Sequence, residues 1–218
     1  MAKIIVFGVT DTAQLAKFYL DTDSEHEVVA FTVSREYSKD SEFEGLPVVA
    51  YEDVKNHYPP SDYFLFTPMV ASAMNENRER VYLEGKSKGY SFISYISSRA
   101  TVLSDDIGEN CFILEDNTIQ PFVTIGNNVV LWSGNHIGHH SKIGDHVLFT
   151  SQVVLSGHCE VGSHCFFGVN ATVRDCVTLG QGTLVSMGAC VTKNTDAWGA
   201  YIGNPAKKHA KSSRQLYK

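Results

Sequence analysis

From residue 107 onward the chain places a large apolar side chain at every sixth position. The series runs Ile107, Ile113, Ile119, Ile125, Leu131, Ile137, Ile143, Phe149, Leu155, Val161, Phe167, Val173, Leu179, Val185 and Val191, with no slip in fifteen positions. If about 30% of residues are large aliphatic or Phe, a run of this length arises by chance on the order of once in 10⁷ sequences. Two residues before a hit the side chain is small, β-branched or Asn, as at Cys111, Asn117, Val123, Asn135, Ser141, Val153 and Cys159. Gly often follows the hit, as at Gly108, Gly126, Gly138, Gly144 and Gly162. An α-helix cannot keep a six-residue repeat on one face, because six residues advance roughly 600°, roughly 240° net. A simple strand would alternate by two. A period of six with Gly or polar corners fits a triangular coil: three hexads make one 18-residue turn, and each turn stacks on the last. The fifteen hexads predict a parallel β-helix of about five coils.

Stacking gives neighbours by arithmetic, because residues 18 apart lie on adjacent rungs about 4.8 Å apart. Asn117 falls under Asn135, which predicts an amide ladder. His146 falls under His164, His140 under His158 and His139 under Gly157. The last pair sets a candidate general base one rung from a backbone N–H able to stabilise an oxyanion. The densest polar run is Asn135-His136-Ile137-Gly138-His139-His140-Ser141. Ile137 points inward, so His139 and His140 face out near the next corner.

Ahead of the coil the texture differs. Lys3–Val9 reads as an apolar strand, Thr12–Asp23 as an amphipathic helix and Glu27–Val33 as a second strand. Pro47–Ala50 and Tyr63–Thr67 read as short strands, with a short helix over Glu52–His57. Asn75–Lys86 is a charged helix stopped by Gly89. This alternation predicts a Rossmann-like α/β domain with a parallel sheet. The expected organisation is an α/β domain over 1–97, the β-helix over 98–196 and a tail over 197–218. The turn Phe7-Gly8-Val9-Thr10-Asp11 holds only the first Gly of a GxGxxG-like pattern.

Composition excludes several classes. No stretch of about 18 consecutive apolar residues is present, so no transmembrane helix is expected. The start lacks a charged leader and a small-residue cleavage site, which predicts a cytoplasmic protein. Cys111, Cys159, Cys165, Cys176 and Cys190 form no CxxC pair and read as reduced filler. A net charge of −6 argues against nucleic acid as a partner. The tail is locally basic, with Lys207, Lys208, Lys211, Arg214 and Lys218 and no acid over 203–218. It reads either as a solvated tail or as an anion-binding one.

The repeat resembles the bacterial hexapeptide acyltransferases, and the resemblance implies a left-handed coil and a homotrimer with sites between subunits. The segment Ile137-Gly138-His139-His140-Ser141-Lys142-Ile143-Gly144-Asp145 resembles the active-site hexads of the sialic acid O-acetyltransferase, NeuD-type family. That family includes N-acetyltransferases of nucleotide-linked 4-aminosugars used in surface polysaccharides. The likeness implies acetyl-CoA as co-substrate, no metal, and a nucleotide-linked aminosugar as acceptor. It places the base on His139 and the oxyanion donor on Gly157. The acid that orients the base in the family falls on His140, which cannot act as a carboxylate. Gly203-Asn204-Pro205-Ala206-Lys207-Lys208 resembles the family's closing G-x-P-A-[KR] motif, implying CoA contacts at Gly203, Pro205, Lys207 and Lys208, with Gly157 also at the cofactor. For the nucleotide sugar, the resemblance points to Gly8, Thr10, Asp11, Ser34 and Arg35, with Asn135 and His136 beside the base.

Other readings predict different observations. O-acetylation of a sugar hydroxyl uses the same base. A zinc-dependent carbonic anhydrase of hexapeptide type is suggested by His136, His139, His140 and His158, although no two β-helix histidines are five residues apart as that family's ligands are. A non-catalytic trimeric scaffold would tolerate loss of His139.

Overall fold

The computed structural model describes residues 1–217. Lys218, counted above in the basic tail, lies outside the described residues. The first strand, β1 (Lys3–Phe7), leads through Gly8 into α1 (Asp11–Asp23). Gly8 has φ +115°, a region favoured by glycine, and this lets the chain turn from strand to helix. The unit continues with β2 (Glu27–Val33), β3 (Glu42–Phe43), β4 (Leu46–Ala50), α2 (Val54–His57), β5 (Tyr63–Phe66) and α3 (Glu76–Ser87). The strands lie in the order β3-β4-β2-β1-β5, parallel apart from the β3–β4 pair.

Alternation along β1 divides the apolar side chains between the two faces of this sheet. Ile5 and Phe7 join Val54, Val81 and Tyr82 of α2 and α3. Ile4 and Val6 join Ala13, Ala16 and Leu20 of α1, together with Phe112, Leu114, Val130 and Leu148 of the repeat region. The sheet therefore shares a core with the outer face of the coil. Asp23 at the end of α1 strengthens the junction. Its carboxylate accepts hydrogen bonds from the Tyr95 hydroxyl at 2.7 Å and the Ser98 N–H at 2.9 Å. Those bonds hold its carboxyl down at about 2.

The repeat region is built of two-residue strands in three parallel sheets. Partners are 18 residues apart, as in His136↔Val154 and Val154↔Thr172. All the periodic positions from Ile113 onward are buried, and so are the residues two before them. Phe149 and Phe167 stack inside the coil at 4.1 Å and 8°. The Asn ladder runs from side chain to backbone: the Asn117 Oδ1 accepts from the Asn135 N–H, and the Asn135 Oδ1 accepts from the Val153 N–H.

A second period of six sets the corners. Asn110, Asp116, Phe122, Asn128, His140, His146, Gln152, His158, His164, Asn170 and Cys176 all have φ between +56° and +65°. Gly134, Gly182 and Gly188 fill further positions of the series. This left-handed conformation is tolerated best by Gly, Asn, Asp and His. The composition of the corners follows, as does the density of histidine along this coil. Phe122, Gln152 and Cys176 depart from this preference, and Phe122 is the bulkiest: such a side chain there costs about 1–2 kcal/mol, and it is 71% exposed.

The tail folds back instead of trailing into solvent. Lys207–Lys208 pairs antiparallel with Tyr201–Ile202. The last helix, α4 (Ser213–Leu216), is capped by Ser212 and Gln215. Arg214 lies 3.4 Å over the Trp198 ring and pairs with Glu76 at 2.5 Å.

Candidate active site

His139, His140, Gly157 and His158 meet on one exposed edge of the coil. The turn after Ile137 is tight: a Cβ on Gly138 would come within 2.5 Å of the Gly157 nitrogen, so only glycine fits. Directly after it, the His139 N–H donates to the Gln120 side-chain oxygen at 2.9 Å, which fixes the backbone from which the imidazole projects. That ring lies against the open side of Gly157. A Cβ built there would be 2.9 Å from the ring's Cε1 and 3.0 Å from its Nε2. Among the described residues the Gly157 N–H has no acceptor and is free to bind a ligand oxygen.

His140, at the position where the resemblance expects an acid, contacts the ring of His139. His139 Nδ1 lies 3.0 Å from His140 Nδ1, so one ring donates and the other accepts. When the His139 Nδ1–H donates, His139 Nε2 is left unprotonated and carries a lone pair, as a base requires. His140 in turn lies between two rings on neighbouring rungs. It stacks on His158 at 4.9 Å and 14°, and meets Phe122 at 4.6 Å and 41°. His158 also meets His139 edge-on at 5.0 Å. Sequence reasoning overlooked Gln120 and Phe122; the latter's break with the corner composition was the available signal.

The other expected site residues are scattered. Asn135 is buried, and both ends of its amide are engaged by the ladder, the amide nitrogen donating to the Trp132 carbonyl. It is a rung of the core and not a substrate ligand. His136 is half-buried on the outer face of its strand between Thr118 and Val154. Gly8, Thr10 and Ser34 line a cavity of about 510 Å³ in the α/β domain, beside Tyr37, Lys39, Asn77 and Arg80. Asp11 and Arg35 lie outside its lining. Asp11 belongs to a second depression with Gln14 and Lys17, and Arg35 pairs with Asp53 at 2.8 Å. Gly203, with φ +94°, and Pro205 form the closing loop, where the Ala206 N–H donates to the Cys190 carbonyl. Lys207 is exposed, whereas Lys208 is tied to Asp196 at 2.7 Å.

Among the described residues, two clusters bring metal-ligand side chains together. In the first, one ring nitrogen from each of His139, His140 and His158 lies within 4.8 Å of the others. The Nδ1–Nδ1 contact there has the length of a hydrogen bond. The second lies under α3. Glu79 reaches His164 Nε2 at 3.1 Å and His146 Nε2 at 3.5 Å. His146 Nδ1 meets the Asn128 amide at 2.9 Å. Burial, with His164 adding to it, holds His146 down at about 4 and hence neutral near pH 7. The fully buried Arg78 donates to the His146 carbonyl at 2.8 Å. The second cluster bridges α3 and two corners, and among the described residues His164 Nδ1 and the Nε and Nη1 of Arg78 are buried in it without a partner.

Comparison with known proteins agrees with this architecture. Residues 106–139 match the family described as "Bacterial transferase hexapeptide (six repeats)", and residues 160–193 match "Hexapeptide repeat of succinyl-transferase". The sequence matches none of the curated proteins. Among solved structures, it is similar to a histidine-to-asparagine mutant of perosamine N-acetyltransferase from Caulobacter crescentus, in complex with CoA and GDP-perosamine. The two are 21% identical over 97% of this chain and 98% of that one, with a TM-score of 0.85. The acetyltransferase domain of PglB from Neisseria gonorrhoeae FA1090, in complex with acetyl coenzyme A, is 19% identical over 95% and 98%, with a TM-score of 0.83. WeeI from Acinetobacter baumannii AYE is 22% identical over 96% and 100%, with a TM-score of 0.78. At these identities the likeness shows a shared fold along nearly the whole of each chain.

Proposed function

We propose that this chain is an acetyl-CoA-dependent N-acetyltransferase acting on the amino group of a nucleotide-linked aminosugar. The observation that carries the reading is the set of His139 Nε2, the free Gly157 N–H and the orienting His140 on one edge. The similar structures that hold CoA and GDP-perosamine, or acetyl coenzyme A, support the substrate class. In this reading the amine nitrogen attacks the thioester carbonyl carbon. His139 Nε2 accepts the proton that the nitrogen loses. The Gly157 N–H stabilises the oxyanion of the tetrahedral intermediate. As the C–N bond forms and the C–S bond breaks, the CoA thiolate leaves and takes the proton back from His139.

The nucleotide is assigned to the α/β cavity at Gly8, Thr10 and Ser34, within a domain of Rossmann-like type. The CoA phosphates are assigned to the closing loop and Lys207. The coil is taken as left-handed with about five coils, and the assembly as a homotrimer with sites between subunits. Two observations support the trimer: the three-histidine edge stands open on the protomer, and the coil exposes Met187 (75%) and Val169 (42%). The hydrogen bond between His139 and His140 favours acyl transfer over a zinc hydratase, since it places a proton between the two rings.

The test is a screen of dTDP-, UDP- and GDP-linked 4-aminosugars with acetyl-CoA, read by thiol release. One acceptor should support turnover, and His139→Ala should lower kcat by about 10²–10⁴-fold. Turnover by the variant at the parent rate would refute the base assignment. A parent inactive with every acceptor would refute the substrate class.

A further inference from the structure

We propose that Phe122 and His158 are positioning residues that clamp the His140 ring, so that an imidazole can do the orienting work of a carboxylate. The proposal rests on His139 being the base. A carboxylate has two oxygens and about four lone-pair sites, so it accepts a proton over a wide range of orientations. A neutral imidazole accepts at one nitrogen, through one lone pair in the ring plane. Rotation of that ring about its χ2 would turn the lone pair away from His139, and χ2 of histidine is a soft torsion. His140 is exposed, and among the described residues its ring hydrogen-bonds only to His139.

The rings on either side supply the restraint. Phe122, His140 and His158 occupy successive corners of one column, each with a left-handed backbone. His158 lies parallel to His140 at 14°, and Phe122 covers the opposite side at 4.6 Å. A ring held between two others keeps its plane. The choice of Phe at 122 follows from the same need, since packing in the coil does not explain it: the side chain is 71% exposed and its backbone conformation disfavours a bulky residue. His158 restrains the base as well, through its edge-on contact with His139. Neither Phe122 nor His158 takes part in proton transfer here; each acts through His140.

The clamp can be read without a substrate. Long-range ¹H–¹⁵N spectra of the imidazoles in the full-length parent should show His139 protonated at Nδ1 and His140 at Nε2. In Phe122→Ala and His158→Ala the His139 signals should move to a mixture of tautomers, with an unchanged Tm. With the acceptor found in the thiol-release screen, both variants should lose about 10–100-fold in kcat, with KM for acetyl-CoA and acceptor within about twofold of the parent. His158→Phe keeps the stack without ring nitrogens and should recover most of the rate. If His158→Phe is as slow as His158→Ala, the ring nitrogen itself is required and the clamp is wrong. A loss carried in KM would make these residues binding contacts and also overturn it. Parent-like spectra and rates in both Ala variants, beside an inactive His139→Ala, would overturn the clamp and leave the base intact. A fully active His139→Ala would instead remove the base on which the clamp rests.

Discussion

At His139 the site depends on two positions that admit only small changes. Gly138 closes the turn, and Gly157 leaves the space in which the imidazole lies. The backbone at Gly157 is not left-handed, so alanine there strains no torsion, yet its methyl would meet the His139 ring at 2.9–3.0 Å. Gly157→Ala should therefore lower kcat by about 10²-fold, the scale of a lost oxyanion or base contact, while thermal unfolding changes little. An enzyme retaining full activity would show that the acyl group does not bind over Gly157. The stacking of His139 on Gly157 and of His140 on His158 was legible in the sequence, because both follow from counting eighteen. The bond between His139 and His140 was not, because it depends on side-chain rotation, which a repeat does not encode. The role expected of Asn135 failed for a related reason: it stands two residues before Ile137, in the series that points inward.

Among the elements, α3 departs most from its appearance in sequence. Its charged residues suggest a solvated helix, and Glu84 with Arg80 bears this out at the surface. Arg78, however, is completely buried and donates to the carbonyls of His146 and Val147. No local pattern could reveal this, since the partners lie on the coil about seventy residues away. Arg78→Ala leaves a cavity and loses these hydrogen bonds. It should destabilise the protein by about 2–4 kcal/mol in chemical denaturation; a change under about 0.5 kcal/mol would show that α3 does not depend on this contact.

The same bridge makes a pH dependence. His146 is held down at about 4 in the folded state, mainly by burial, against about 6.5 in an unfolded chain. Between those values the unfolded state binds more protons, so the stabilising contribution is present above about pH 6.5 and is lost as pH falls toward 4. The loss should be on the order of 2 kcal/mol. His146→Asn, which suits the left-handed corner, should flatten this part of the stability profile. An unchanged profile in the variant would assign the dependence to other groups.

For the molecule as a whole, the shared core is the decisive fact. The α/β sheet and the coil bury side chains against each other, and Asp23 fastens α1 to the start of the coil. One cooperative unfolding transition is expected, with calorimetric and van't Hoff enthalpies in agreement. Asp23→Asn should lower Tm by a few degrees at pH 7. The carboxylate contributes above about pH 4 and loses its effect as pH falls toward 2, so the difference from the parent should shrink over that interval. Two separate transitions in the parent would show that the halves fold independently. The strand order of the small sheet and the seating of the coil against it were not legible in sequence, since only tertiary packing decides them. The coil was legible because each turn repeats the same local instructions and contacts chiefly its neighbours.

The eighteen-residue step also sets lengths along the protein. A single inserted hexad between residues 139 and 157 would turn the later coils by a third of a revolution, leaving the base facing a different side of the triangle. A whole inserted turn beyond residue 176 would preserve that facing and carry the closing loop about 4.8 Å farther from His139. A donor gripped by its phosphates at one end and its acyl carbon at the other would then no longer reach both. On the proposed assignment of the carrier's phosphates to the closing loop, the number of turns between the edge and the loop is a ruler for the length of the acyl carrier.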